Sequence, residues 1–414
     1  MIRTCLKLVA LFVGLVLLGL GGYRAERHFY VEHHHREAER AVARYDFEEA
    51  ERHLALCLHA RPRSPALHLQ MARVARRAEH YEQATEYVRK CQELEGKTPD
   101  NSLEAILIHA QAGAIVDVEK LLREQVDSGS PDANLILEAL GRGYVATYRL
   151  SAAMHCVNRL LEREPDNVLA LLLRASLWKA VGNHAKAEDD YRQAVEAQPE
   201  HRRARVQLGE ILLFNKRAEE ALPHFEYLRQ RPGGDAPEVL LGLARCRRQL
   251  GDAESARQLL DELLVGHPHE GFALVERGKI ALETESATTA ETWLRQAIAD
   301  YPYDAQAKYL LAQALRKQGK NDEASGYEAA QKRIDRDLAA LDAAFRHVTA
   351  NPRDPEPRLE AGRICLRNGR EDEGERWLLS ALEQEPKHAA TRAALAEHYE
   401  RIGRVELAAD YRRP

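Results

Sequence analysis

Apolar side chains along this chain fall at helical spacing, and the pattern repeats as a block about every 34 residues. Pro165, Pro199, Pro232, Pro268 and Pro302 are 34, 33, 36 and 34 residues apart, and Pro352 and Pro386 are again 34 apart. Twelve residues before most such prolines stands an alanine: Ala50 before Pro62, Ala153 before Pro165, Ala187 before Pro199, Ala256 before Pro268, Ala290 before Pro302 and Ala340 before Pro352. Four residues after the alanine comes a larger apolar side chain, as at Leu54, Val157, Tyr191, Leu260 and Leu294. Further upstream a small residue sits on an apolar stripe: Gly141, Ala175, Gly209, Ala244, Gly278, Ala312, Gly362 and Ala396. Each block therefore predicts two antiparallel helices. Small residues mark the crossing, where close backbones exclude bulk, and the larger apolar residue fills the gap to the next block. The proline ends the second helix, because it lacks an amide donor and clashes with the preceding turn. No block buries its apolar face alone, so neighbours must stack into a helical solenoid.

The block resembles the tetratricopeptide repeat. Asn134 to Asn167 carries Leu137, Leu140, Gly141, Tyr144, Ala153, Leu160 and Pro165 at the family's offsets. Val168 to Glu200 follows with Leu171, Ala175, Trp178, Ala187, Tyr191, Ala194 and Pro199, and Arg202 to Pro232 offers Leu208, Gly209, Ala221 and Phe225. The resemblance runs from about residue 37 to the C-terminus and implies an all-α, right-handed solenoid of helix-turn-helix repeats. The stretch 100–131 departs from the pattern and reads as a degenerate helical unit.

Five segments follow. Residues 1–23 are an N-terminal anchor, 24–36 a juxtamembrane stretch, 37–321 the main array, 322–350 a long amphipathic helix, and 351–414 a C-terminal repeat pair with an end cap. The long helix rests on Ile334, Leu338, Leu341, Phe345 and Val348, an apolar stripe suited to packing along the array or to dimerisation. The sequence leaves the oligomeric state open.

Leu8 to Tyr23 is sixteen residues without a charge, preceded by Arg3 and Lys7. That suits a single transmembrane helix with the basic end in the cytoplasm and the repeats outside it. Tyr23-Arg24-Ala25 is a poor cleavage site, which favours an uncleaved anchor in a bacterial inner membrane. Secretion to the periplasm after signal cleavage is the alternative. Phe29 and Tyr30 suit a lipid–water interface. The run His33-His34-His35 projects at about 100° per residue, so it cannot chelate a metal from one helix face.

Charged residues make up 30% of the chain and aromatics only 6%, as a thin and much-exposed stack requires. A net charge of −5 supplies no overall basic field, so nucleic acid is not an expected partner. The six cysteines form no C-x-x-C pair, and Cys57 and Cys91 occupy equivalent packing positions. There is no phosphate loop, no G-x-S-x-G elbow and no H-E-x-x-H. Repeats fill the chain beyond the N-terminal segment. The expectation is thus a non-enzyme without cofactor, metal or small-molecule substrate.

What remains is a surface. The family resemblance implies that first helices line a concave groove, which binds protein or peptide partners. The residues expected there are Arg142, Leu241, Arg245, Arg248, Val275, Lys279, Tyr309 and Arg316: an apolar floor with a basic bias. Plain solvated helix surface is the alternative. The positions do not match the lysine–asparagine carboxylate clamp of chaperone-binding members. The expected function is a membrane-anchored scaffold. The alternatives are an envelope-biogenesis or secretion assembly factor and a non-catalytic enzyme accessory subunit.

Overall fold

The computed structural model describes residues 26–413, and every regular element among them is a helix. The anchor segment lies outside these residues. Among the described residues, no helix is long and apolar enough to cross a membrane. The described residues divide between 143 and 144 into two compact units. The first contains α1 (residues 26–43), α2 (Phe47–Ala60), α3 (Pro65–Arg77), α4 (Tyr81–Glu95), α5 (Pro99–Gln111) and α6 (Glu119–Asp127). The division falls inside α7 (Ala133–Ala146). The second unit runs through α8 (Leu150–Arg163), α9 (Val168–Ala180), α10 (His184–Ala197), α11 (Arg202–Phe214), α12 (Ala218–Arg229), α13 (Pro237–Gln249), α14 (Ala253–Gly266) and α15 (Gly271–Thr284). It continues with α16 (Ala287–Asp300), α17 (Ala305–Lys317), α18 (Asn321–Ala350), α19 (Glu356–Arg367), α20 (Glu371–Gln384), α21 (Ala389–Arg401) and α22 (Val405–Arg412).

The helix ends follow local chemistry. Pro62, Pro165, Pro199, Pro268, Pro302, Pro352 and Pro386 each stand two residues beyond the end of a second helix. The residue before each proline leaves the helical region, as Glu164 does at φ −133 and ψ 80. First helices are started by side-chain caps: Asn167, His201 and Asp304 accept from the backbone N–H three residues on. Thr98 and Asn101 form a reciprocal capping box at α5.

The turns carry a second periodic signal. Between first and second helices the chain passes through positive φ at Tyr45, Glu79, Gly113, Tyr148, Gly182, Lys216, Gly251, Gly319, Gly369 and Gly403. This is the left-handed region that glycine enters without steric cost.

Packing inside a pair explains the small residues. A Cβ on Gly209 would lie 2.5 Å from the Phe225 ring, one on Gly278 would lie 2.6 Å from Leu294, and one on Gly362 would lie 2.7 Å from Leu378. In each case the bulky partner is the larger apolar residue of the second helix. Phe225 also meets the Gly242 position of α13, so one ring is seated between two glycines of successive first helices. The alanines Ala50, Ala153, Ala187, Ala256 and Ala290 are fully buried.

Carboxylates bracket neighbouring pairs. Glu188 on α10 accepts from Arg192 (2.8 Å), Arg217 (2.7 Å) and Asn215 (3.1 Å). Glu291 on α16 repeats the arrangement with Arg295 (2.8 Å), Lys320 (2.7 Å) and Gln318 (2.7 Å). The Lys320 hydrogen bond, helped by Arg295 and Gln318 against the cost of burial, holds the Glu291 carboxyl at about 2, below its ordinary 4.5. A depressed carboxyl contributes stability above its unfolded pKa and loses it as pH falls through the folded one. Acidification from about 4.5 towards 2 should therefore loosen α16 against α17 and α18. Hydrogen exchange of those helices across this window should show the loss, and Glu291→Gln should remove its pH dependence.

The degenerate stretch is a helical pair with a short second member, since α6 has only nine residues. The small-residue slot 34 positions before Gly141 holds Leu107, which is fully buried. Instead of a small-residue crossing, this region holds a buried polar network. Arg76 Nε donates to Glu104 Oε1 (2.6 Å), and Arg76 Nη1 donates to Gln111 Oε1 (2.8 Å).

The long helix α18 is continuous over 30 residues. It packs on α17, and through Asp337 it receives Arg367 (2.6 Å) and Asn368 (2.8 Å) at the end of α19. Its stripe is unevenly used: Ile334 and Val348 are buried, whereas Leu338 is exposed.

Candidate functional site

First helices of successive pairs touch one another: α11 meets α13, α13 meets α15, α15 meets α17, and α19 meets α21. Second helices of successive pairs make no comparable contact. From α11 to α17 the first-helix layer is thus the tighter, inner side, and the candidate site is its exposed strip from α13 to α17.

Leu241 on α13 and Val275 on α15 are buried in one apolar cluster. Above them stand charged groups that sequence reasoning expects, plus one it missed. Glu276 accepts from Arg248 Nε (3.1 Å) and lies 3.3 Å from Arg245 Nε, so both arginines converge on one buried carboxylate. The Arg245 guanidinium also stands 5.7 Å from the Phe272 ring centre. Lys279 is half-buried next to this group. Burial depresses its pKa, with Arg248 and Lys216 adding to the effect and Glu276 and Glu283 opposing it. A cation in that state gains from an incoming carboxylate.

The remaining expected residues are placed differently. Tyr309 on α17 leaves 49% of its surface to solvent. Arg316 is committed to a two-pronged pair with Glu328 of α18 (2.6 and 2.8 Å). Arg142 belongs to the first unit, where it pairs with Glu79 (2.9 Å). The strip therefore gathers Leu241, Arg245, Arg248, Val275 and Lys279. Phe272, 63% exposed at the start of α15, is the most accessible apolar group there. Its position one turn before Glu276 is the only local signal that marked the pair.

The first unit has a smaller feature, a cleft of about 220 Å³ among α1, α2 and α3. Ala38, Val42 and Leu54 give it an apolar base, and His35, Gln70 and Arg73 stand at its rim. His35 Nε2 and Gln70 Oε1 are hydrogen-bonded at 2.8 Å. Of the histidine run, His34 turns to His53 on α2, with the two Nδ1 atoms 2.9 Å apart. Among the described residues no group of three or more histidine, cysteine or acidic side chains is arranged to hold a metal ion. Cys57, Cys91, Cys156, Cys246 and Cys365 are buried, and burial is the first cause that pushes Cys246 up to about 12.

Family models of the tetratricopeptide repeat match residues 179–235, 215–274 and 275–337. Over these residues the chain carries tetratricopeptide repeats. The repeats mark it as a protein–protein interaction scaffold. Among curated proteins it is similar to DnaJ homolog subfamily C member 3 of Bos taurus, 24% identical over 211 residues, and of Rattus norvegicus, 25% identical over 225 residues. These alignments take in 51% and 54% of this chain but only 34% and 37% of the relatives. The chain thus spans about a third of their length. Among solved structures, a tetratricopeptide repeat protein from Parabacteroides merdae aligns at 18% identity and TM-score 0.37, covering 69% of this chain and 99% of its own. The human IFIT1 dimer with m7Gppp-AAAA aligns at 16% identity and TM-score 0.43, covering 84% of this chain and 88% of its own.

Proposed function

We propose that this protein is a membrane-anchored scaffold that holds an extended protein segment along the inner face of α13, α15 and α17. The observation that supports the reading is the coincidence of exposed Phe272 and Tyr309 with Arg245 and the desolvated Lys279 on one first-helix layer. Aromatic rings give contact area, and the cations favour acidic residues beside the apolar anchors. The N-terminal apolar run supplies the anchor, with the repeats on the extracytoplasmic side of an inner membrane. A role in envelope or secretion assembly fits such a placement.

The test must spare the internal pairs. Arg245→Glu would set a second carboxylate against Glu276, whereas Arg245→Gln leaves Glu276 paired with Arg248. The double variant Arg245→Gln, Lys279→Gln should weaken binding of the partner while far-ultraviolet helicity stays at the wild-type level. Unchanged affinity would remove the inner-face reading. Separately, the chain should sediment with membranes. Activity of a cytoplasm-dependent reporter fused after Pro414 would overturn the orientation.

A further inference from the structure

The first turn of the second unit touches its C-terminal helices. The Tyr148 ring, between α7 and α8, lies flat on Trp377 of α20, with centres 3.6 Å apart and planes 10° apart. Phe345 of α18 meets the same indole edge-on at 6.2 Å. Ala344, Val348, Ala361 and Cys365 complete the cluster. Burial pushes the Tyr148 hydroxyl pKa up, and the nearby Arg376 guanidinium opposes the rise. Between Tyr148 and Trp377 lie 228 residues of sequence, so the contact joins the two ends of the second unit's array.

Two features of this seam bear on its closure. Tyr148 occupies the positive-φ turn position that glycine fills at residues 182, 251, 319, 369 and 403. Its φ of 54 is unfavourable for a bulky side chain, so the ring is held there at a cost in backbone strain. Polar groups are also stranded beside the seam. Arg358, at the start of α19, is 0% exposed, and among the described residues none of its three guanidinium nitrogens has a hydrogen-bond partner. Trp377 Nε1 is likewise buried without an acceptor. Arg149, next to Tyr148, acts on Arg358 with a like charge, while Glu383 and Asp354 act on it with opposite charge. An unsatisfied buried guanidinium opposes closure, and water would relieve it on opening.

We propose that this seam is a clasp that opens and shuts: the Tyr148 turn parts from Trp377 and Phe345, and the second unit alternates between a joined and a parted form. Aromatic stacking shuts it, and the stranded Arg358 guanidinium favours release. If the inner face binds an extended segment, as proposed above, the parted form is the one that admits it. That consequence rests on the binding reading, whereas the clasp itself does not.

Spin labels at Ser151→Cys on α8 and Asp372→Cys on α20, both exposed, report the distance across the seam in the full chain with Cys5 replaced by serine. The described native cysteines are buried and label poorly. Tyr148→Gly is the informative variant, because glycine suits the backbone there and removes only the ring. It should raise the ratio of long to short distances by roughly two- to tenfold, the worth of one aromatic stack, with helicity unchanged. Arg358→Met should shift the ratio the other way. The clasp is refuted if Tyr148→Gly leaves the distribution as in wild type, or if Arg358→Met lengthens it. If Tyr148→Gly opens the seam but the partner's association rate does not change, the clasp stands and the inner-face reading fails.

Discussion

Replacing Glu104 with alanine is expected to destabilise the first unit by about 3–5 kcal/mol, the usual cost of breaking a buried ion pair from one side. Arg76 is 0% exposed and Glu104 1%. The guanidinium gives Nε to Glu104 and Nη1 to Gln111, while Gln111 returns its amide to the Arg76 carbonyl at 3.0 Å. Removing the carboxylate leaves a cation in the core, with the carboxylate of Glu138 shared with Arg77 as the nearest compensation. Replacing both Arg76 and Glu104 with methionine should cost much less, because no charge is then stranded. Since a repeat array need not unfold in one step, the measurement is hydrogen exchange in α3 and α5 rather than a single melting midpoint. Equal losses for the single and double variants would contradict the role given to the pair.

Phe225→Ala is expected to cost about 3–5 kcal/mol, the range for truncating a buried phenylalanine. Its ring is fully buried and is the wedge between the backbones of α11 and α13 at Gly209 and Gly242. Those glycines cannot move closer to fill the void without shifting two helices. The converse change, Gly209→Leu, should cost about 1–3 kcal/mol through overpacking. In both variants faster exchange should be confined to α11–α14. A uniform loss across the second unit would show that it does not behave as a nearest-neighbour stack.

The features legible in the sequence are those that each helix pair repeats for itself. The closing prolines, the buried alanines and the glycine-to-bulk crossings recur in phase, so periodicity reveals them without knowledge of neighbours. The positive-φ turn position was legible too, through Gly182, Gly251, Gly319, Gly369 and Gly403, but Tyr45, Glu79, Tyr148 and Lys216 interrupt the series and hide it. Contacts made once leave no period. Arg76 and Glu104 look like surface charges until α3 and α5 are brought together. Glu276 resembles any acidic residue of a solvated helix, yet it takes the charge of Arg245 and Arg248 and so reduces the basic bias expected of the groove. Arg316 shows the same limit, since its partner Glu328 lies on the next helix and no spacing rule selects it. The division near residue 143 falls inside α7, where the repeat pattern continues without a break.

The claim at the centre of this account is that the inner face of the second unit is a protein-binding surface. Photo-crosslinking amino acids placed singly at Phe272 and Tyr309 on that face, and at Val265, exposed on second helix α14, test it most directly. The account predicts one shared protein adduct from positions 272 and 309, none from 265, and loss of that adduct in the Arg245→Gln, Lys279→Gln background. Adducts of equal yield from position 265, or an adduct at 272 and 309 that persists in the double variant, would contradict it.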